Sequence, residues 1–180
     1  MRRGTIEVIC GSMFSGKTEE LLRRLKRAEL AKIKIAVFKP KIDLRYGNKS
    51  VASHDKNKIK ATPIDKAEDI LEHVHDVQIV AVDEAQFFDK KLISVCNKLA
   101  NEGRRIIIAG LDMDFLGKPF GVIPQLLAIA EKITKVHAIC VECGENANHS
   151  FRKTNDKELI KLGEKNEYTA LCRNCFIAYN

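Results

Sequence analysis

Apolar positions along this chain fall into four short, nearly continuous runs: Thr5–Cys10, Ile35–Pro40, residues 78–83 and Arg105–Gly110. Each is rich in β-branched residues and shows no polar face. That is the pattern of parallel strands covered on both sides. Between the runs the period changes. Leu21, Leu22, Leu25 and Ala28 recur at helical spacing within residues 18–32, and Leu92, Ile93, Cys96 and Leu99 do so within residues 90–102. Residues 67–75 and 123–131 read as further helices, and residues 133–139 as a last strand. Alternating strands and helices predict an α/β fold with a doubly wound parallel sheet and right-handed crossovers. Two stretches break the rhythm. Residues 41–60 are polar and lysine-rich, too long for a routine connection, and predict a functional loop or a disordered segment. From Cys140 to Asn180 cysteines replace aliphatic residues. The expected division is an α/β domain, residues 1–138, and a small appended module, residues 139–180.

Composition narrows the class. No apolar run of the 180 residues approaches the ~20 that a membrane span needs. The opening Met1-Arg2-Arg3-Gly4 leads straight into the first strand and leaves no room for a signal peptide, so a soluble cytoplasmic protein with no membrane partner is expected. Thirty-one basic against 24 acidic residues leave +7, which suits nucleic acid or any phosphorylated ligand. The excess is dispersed, and 8 Phe and 3 Tyr supply no basic patch interleaved with stacking rings. No nucleic acid polymer is therefore expected as a partner.

The first strand runs into Gly11-Ser12-Met13-Phe14-Ser15-Gly16-Lys17-Thr18, a complete G-x-x-x-x-G-K-[ST] pattern, with a helix behind it. In such a strand–loop–helix unit the loop amides and the positive helix end converge on one anion. Lys17 is expected to reach the terminal phosphates of a nucleoside triphosphate, and the Thr18 hydroxyl to ligate magnesium. The third strand ends in Asp83-Glu84-Ala85-Gln86-Phe87-Phe88. An acid at the carboxyl end of an apolar strand completes a phosphate-loop site: Asp83 for the magnesium shell, Glu84 to orient or deprotonate an attacking oxygen. Whether that oxygen belongs to water or to an alcohol is left open by the strand motif.

Cys140, Cys143, Cys172 and Cys175 form two C-x-x-C pairs separated by 28 residues. In a cytosolic chain two such pairs predict a tetrahedral thiolate zinc site, whereas a redox C-x-x-C is a single pair near a βαβ start. Cys10 and Cys96 stand alone in apolar surroundings and are expected to be small buried hydrophobes.

Taken in order, these blocks identify a family. Met13-Phe14-Ser15-Gly16-Lys17-Thr18, Asp43-Leu44-Arg45-Tyr46, Ser53-His54-Asp55, Asp83-Glu84-Ala85-Gln86-Phe87-Phe88, Gly110-Leu111-Asp112-Met113-Asp114-Phe115, Lys118-Pro119-Phe120-Gly121, Tyr168 and Cys172-Arg173-Asn174-Cys175 span nearly the whole chain. The chain resembles the thymidine kinases of the zinc-containing, phosphate-loop type. The resemblance implies a RecA-like fold with a C-terminal zinc-bound lasso module, a homotetramer, and transfer of the ATP γ-phosphate to the 5′-hydroxyl of thymidine with magnesium. It implies feedback inhibition by dTTP.

On that resemblance Gly11 to Thr18 and Asp83, Glu84, Ala85 and Gln86 bind ATP, and Glu84 is the general base. Asp43 and Arg45 serve the phosphate and sugar region. Met13, Phe87, Leu111 and Phe115 wall the thymine base, and Ser150 approaches it from the zinc module. Leu159, Ile160, Lys161, Leu162 and Gly163 form a lasso strand whose backbone reads the base, with Tyr168 at the sugar end. Residues 41–60 become a lid, and the zinc is structural. Ser12 replaces the proline common in the family's loop, and Glu164 follows Gly163 where a second glycine is common. The alternatives are a phosphate-loop ATPase whose zinc ribbon engages nucleic acid, and a non-catalytic zinc module with a decayed nucleotide site. The intact Lys17, Thr18, Asp83 and Glu84 oppose the second alternative.

Overall fold

The computed structural model describes residues 4–43, 50–52, 58–154 and 167–179. Six strands form one fully parallel sheet in the order β5-β2-β6-β7-β1-β8: β1 (Thr5–Cys10), β2 (Ile35–Pro40), β5 (Thr62–Ile64), β6 (Ile79–Val82), β7 (Arg105–Gly110) and β8 (Lys132–Lys135). Because β7 lies between β1 and β6, the phosphate-loop strand and the acid-bearing strand are not neighbours, the RecA-like order. All six carboxyl ends share one edge, where the topology places Gly11, Asp83, Leu111 and Asp43 together.

Strand alternation sorts the core into two layers. Ile6, Val8 and Cys10 of β1, Val80 and Val82 of β6, and Ile106 and Ile108 of β7 face one side, against α2 (Lys91–Asn101) and α3 (Ile123–Ile129). Ile9, Ile79, Ala81, Ile107 and Ala109 face the other, under Leu21, Leu22, Leu25 and Ala28 of α1 (Lys17–Leu30). The sheet is therefore covered on both faces, as continuous apolar strands require. Cys10 and Cys96 are buried in the first layer, and burial pushes their thiols up to about 11 and about 12. Both are protonated and inert at neutral pH.

Several elements depart from the sequence reading. Residues 67–75 form a 3₁₀ helix over Ala67–His73, not an α-helix, and the chain turns away at Val74. The Asp69 carboxylate holds the entry of this segment by accepting from the Lys66 amide. Residues 133–139 split into β8 and β9 (Ala138–Ile139), because β1 ends where Cys10 faces Lys135 and, past the Val136 amide that bonds the Cys10 carbonyl, the chain leaves the sheet. Within residues 41–60, β3 (Ser50–Ala52) pairs with β4 (Lys58–Lys60), and Val51 and Ile59 are buried against the α1 layer. Residues 44–49 and 53–57 of that stretch lie outside the described residues.

The C-terminal segment has its own small core. There β9 pairs with β10 (Asn146–Ala147), and β11 (His149–Arg152) pairs with β12 (Tyr168–Leu171), before α4 (Arg173–Tyr179). Ala138, Cys140, Ala147, Ala170, Leu171 and Phe176 are its buried members.

Charge is also buried in the second layer. Glu7 of β1 is 7% exposed and accepts from the buried Arg24 of α1 at 2.6 Å and from Arg105 of β7 at 2.7 Å. Burial raises the Glu7 carboxyl, but Arg105 and then Arg24 outweigh it and hold it below its ordinary value. The beneficiary is the ionised form, so this stabilisation is complete above the unfolded value of ~4.3 and is lost as pH falls through the lower folded value. Glu7→Ala is expected to cost about 3 kcal/mol at pH 7, the low end for breaking a buried pair, because Glu20 still faces Arg24. Urea unfolding from pH 7 to pH 2 checks this. The gap between the native chain and Glu7→Gln should narrow steadily below about pH 4. A gap that stays constant would mean the charge is not what stabilises.

Candidate active site

The loop after β1 takes its shape from glycine. Gly11 has φ +151, and a Cβ there would lie 2.2 Å from the Val136 carbonyl oxygen, so no side chain fits. Gly16 is left-handed at φ +83 and starts α1. Phe14 takes φ +63 without being glycine, an uncommon conformation held by its neighbours. Lys17 reaches back across the loop, its Nζ donating to the Ser12 carbonyl at 2.7 Å, and the Ser15 hydroxyl donates to the same oxygen at 2.7 Å. The loop is thus closed around its own backbone, with α1's amino end directly behind it.

Three consecutive loop residues engage the C-terminal module. The Ser12 hydroxyl donates to the Ala147 carbonyl at 3.2 Å, a bond that proline at this position would lack. The Met13 amide donates to the Ser150 hydroxyl at 2.9 Å. Phe14 packs against the module's own core. Ser150, itself 4% exposed, is held to the loop by this bond.

The acids stand opposite the loop. Thr18 Oγ1 donates to Asp83 Oδ2 at 3.3 Å, which brings together the two side chains expected to share a metal shell. Asp83 Oδ1 accepts from the Glu84 amide at 3.0 Å. Glu84 sits at φ +51, left-handed and non-glycine, where β6 turns into the short 3₁₀ segment Ala85–Phe87. Such strain costs of order 1–3 kcal/mol and persists only where the surroundings over-determine it. The buried Gln86 supplies part of that constraint. Its Nε2 donates to Glu84 Oε2 at 2.6 Å, and its Oε1 accepts from the Leu111 amide at 2.9 Å. Because a backbone N–H can only donate, the Leu111 bond fixes which end of the Gln86 amide is oxygen. Glu84 therefore keeps one carboxylate oxygen occupied as an acceptor.

The expected nucleoside walls are distributed around this edge. Met13, Phe87, Leu111 and Phe115 are all half-buried, and Tyr168 is buried. Phe87 packs edge-on against Phe120 at 5.9 Å, and Phe115 lies under the Arg152 guanidinium, which also bonds Tyr168. Asp43 is 5% exposed, at the carboxyl end of β2. Arg45 and the lasso residues Leu159, Ile160, Lys161, Leu162 and Gly163 lie outside the described residues. Three residues escaped the sequence reading: Arg152, Asp112 and Lys135. Asp112 follows β7 and pairs with Lys135 of β8 at 2.7 Å. The signal for Asp112 was its place at a strand's carboxyl end; Arg152 and Lys135 had none, since single basic residues in short strands read as surface.

The four cysteines of the module come together. The Sγ atoms of Cys140, Cys143, Cys172 and Cys175 all lie within 4.8 Å of one another, and Cys143 and Cys172 are 3.6 Å apart. Tetrahedral Zn–S bonds of ~2.3 Å place sulfurs roughly 3.8 Å apart, so this donor set fits zinc. Gly144, at φ +77, lets the chain turn back, and its amide bonds the Cys140 carbonyl at 2.9 Å. Burial pushes the Cys140 thiol up, but backbone amides of Cys172, Cys143 and Glu142 outweigh it and bring it to about 6; at Cys143 the Glu145 amide lowers the thiol but the sulfurs of Cys140 and Cys172 outweigh it, and at Cys175 the Cys172 sulfur and burial push the thiol up. Four thiolates would leave no open position, which assigns a bound zinc a structural role.

Comparison with known proteins gives a consistent answer. The family model described as thymidine kinase matches residues 4–176. A curated thymidine kinase of Porphyromonas gingivalis (strain W83) is 57% identical over 176 residues, covering 98% of this chain and 86% of that protein. The thymidine kinase of Bacteroides thetaiotaomicron is also 57% identical, covering 98% and 88%. That of Rhodothermus sp. is 53% identical over 173 residues, covering 96% and 81%.

The purified protein should carry about one zinc per chain, measured by elemental analysis, and Cys172→Ser should lose it. Because the module grips the phosphate loop, chelation should also speed amide hydrogen exchange at Met13. Zinc loss with unchanged exchange at Met13 would mean that the loop does not depend on the module.

Proposed function

The chain belongs to the thymidine kinase family, and from that premise we propose that it transfers the γ-phosphate of ATP to the 5′-hydroxyl of thymidine, giving dTMP for pyrimidine salvage. The observation that carries the chemistry is the Glu84–Gln86–Leu111 chain of hydrogen bonds set against the Thr18–Asp83 contact. It supports a base aimed beside a phosphate-binding loop.

In this reading the amides of Gly11 to Thr18 cradle the triphosphate, and Lys17 leaves the Ser12 carbonyl to meet the terminal phosphates. Thr18 and Asp83 would hold magnesium, which neutralises charge on the β- and γ-phosphates when bound. Ala85 and Gln86 complete the ATP side. Glu84 accepts the proton of the 5′-hydroxyl on the carboxylate oxygen that Gln86 does not occupy, as the hydroxyl oxygen attacks the γ-phosphorus and ADP departs. Asp43 and Arg45 serve the acceptor end.

The thymine ring lies among Met13, Phe87, Leu111 and Phe115, flat apolar walls that suit a pyrimidine. Ser150 is assigned to the base and Tyr168 to the sugar; the family resemblance also assigns residues 159–163 to base recognition. The zinc-tied module, residues 139–180, closes over the nucleoside held by the α/β domain, residues 1–138. Inhibition by dTTP follows if its base takes the nucleoside site while its phosphates reach the loop. A homotetramer working in the cytoplasm completes the proposal. Among the described residues no helix is long and apolar enough to cross a membrane.

The test is ATP consumption with magnesium and zinc-loaded protein, comparing thymidine, the other deoxynucleosides and single-stranded DNA. Formation of dTMP with little response to purines or DNA is expected; DNA-stimulated hydrolysis without a phosphorylated nucleoside would falsify the kinase reading. Glu84→Gln should lower kcat by roughly 10²- to 10⁴-fold while ATP affinity stays within a few-fold. Unchanged turnover in that variant would remove Glu84 from the base role.

A further inference from the structure

The Arg152 guanidinium is 5% exposed, yet it stands on a short strand of the C-terminal module, where charged residues normally face water. Its Cζ lies 3.8 Å above the centroid of the Phe115 ring. Its Nε and Nη2 both donate to the Tyr168 hydroxyl, at 3.0 and 2.6 Å. Arg152 and Tyr168 face each other directly across the antiparallel pair β11–β12, so the bond also locks that register. Phe115 comes from a different part of the chain, the segment after β7 that the buried Asp114 braces through the Leu116 and Lys118 amides, at 2.9 Å each. One cation thus holds an aromatic ring of the α/β domain and a phenol of the zinc module at once.

Two consequences follow from the chemistry of these groups. A guanidinium has five donors and no acceptor, so the Tyr168 oxygen is an acceptor toward Arg152 and its proton is directed to a different partner. A ring with a cation over one face can offer a ligand only its edge or its other face. Arg152 therefore sets the orientation of Phe115 and the polarity of Tyr168 without needing to touch a ligand.

We propose that Arg152 is a positioning residue for the nucleoside, setting the shape of the thymine pocket by clamping Phe115 to Tyr168; this rests on the thymidine kinase reading above. The guanidinium and the ring form one wall whose position fixes how closely a 5-substituted pyrimidine is gripped. Lysine does not replace it, because an ammonium lacks the planar fork that stacks on a ring and bonds a phenol together.

Steady-state kinetics of the zinc-loaded full chain test this, with thymidine, deoxyuridine and ATP each varied in turn. Arg152→Met should raise KM for thymidine by about tenfold or more, leave kcat within about threefold and KM for ATP nearly unchanged, and shrink the preference for thymidine over deoxyuridine. Arg152→Lys should fail to restore thymidine KM, and it carries the same expectation if Arg152→Met does not fold. In a Phe115→Leu background, Arg152→Met should add little, because the ring through which it acts is gone. Native protein that phosphorylates thymidine while the Arg152 variants keep native KM and selectivity overturns this inference alone. So does a loss confined to kcat, or one that adds fully to that of Phe115→Leu. Native protein that leaves thymidine untouched overturns the kinase reading, and this inference with it.

Discussion

The bond from the Met13 amide to the Ser150 hydroxyl joins two cores that otherwise have separate reasons to exist. On one side the parallel sheet buries its apolar strands beneath α1. On the other a handful of residues gathers around four cysteine sulfurs. A core as small as Ala138, Cys140, Ala147, Ala170, Leu171 and Phe176 buries too little apolar surface to hold a fixed shape, so the cysteine cluster must supply the remainder. The phosphate loop inherits part of its shape from that module, through Ser12, Met13 and Phe14 in succession. The phosphate loop and the cysteine cluster are thus mechanically connected, although none of the four clustered cysteines is near the loop in sequence.

A second constraint governs the acid side. Glu84 takes a left-handed backbone that a β-strand end does not prefer, and the Glu84–Gln86–Leu111 hydrogen bonds hold it there. Gly121 and Gly110 make room for this arrangement. A Cβ on Gly121 would lie 2.3 Å from the Gln86 carbonyl oxygen, and one on Gly110 would lie 2.8 Å from Gln86 Oε1. Both glycines are thus part of the carboxylate's support, although neither reaches a ligand. Strain at one residue is distributed into steric requirements at two others, which is how a strained backbone position survives in a marginally stable fold.

Much of this was legible in the sequence because it is written in short-range signals. The strands β1, β2 and β7 begin and end where their apolar runs do, since a strand buried on both faces leaves no ambiguity of period. The phosphate loop and the cysteine pairs were legible because their chemistry demands fixed residue types at fixed spacing. What escaped depends on long-range partners. The Ala67–His73 segment has a helical pattern, but whether it winds as an α-helix or a 3₁₀ helix depends on what packs against it. The run after Glu131 looks like one strand, and only the end of β1 cuts it in two. Among the described side chains of the β3–β4 pair, Val51 and Ile59 are buried, too few to register as alternation within a lysine-rich stretch.

Buried charge is the last and least legible layer. Glu7, Arg24, Asp112 and Arg152 are each no more than 8% exposed; Glu7 lies within an apolar run and Asp112 just past one, but no neighbouring residue marks Arg24 or Arg152 as interior. A buried ion pair contributes little net stability, because desolvation cancels most of the attraction unless the geometry is good. Its effect is directional. Glu7 accepts from Arg24 of α1 and Arg105 of β7, so it fixes helix and strands to one another in a way that interchangeable aliphatic contacts do not. Asp112 and Lys135 do the same for the carboxyl ends of β7 and β8, beside the loop. Arg152 does it across the boundary between sheet and module. Apolar strands determine that a doubly wound sheet forms; these charges, each useful in only one arrangement, determine where its edge holds the groups that a phosphate and a pyrimidine would meet.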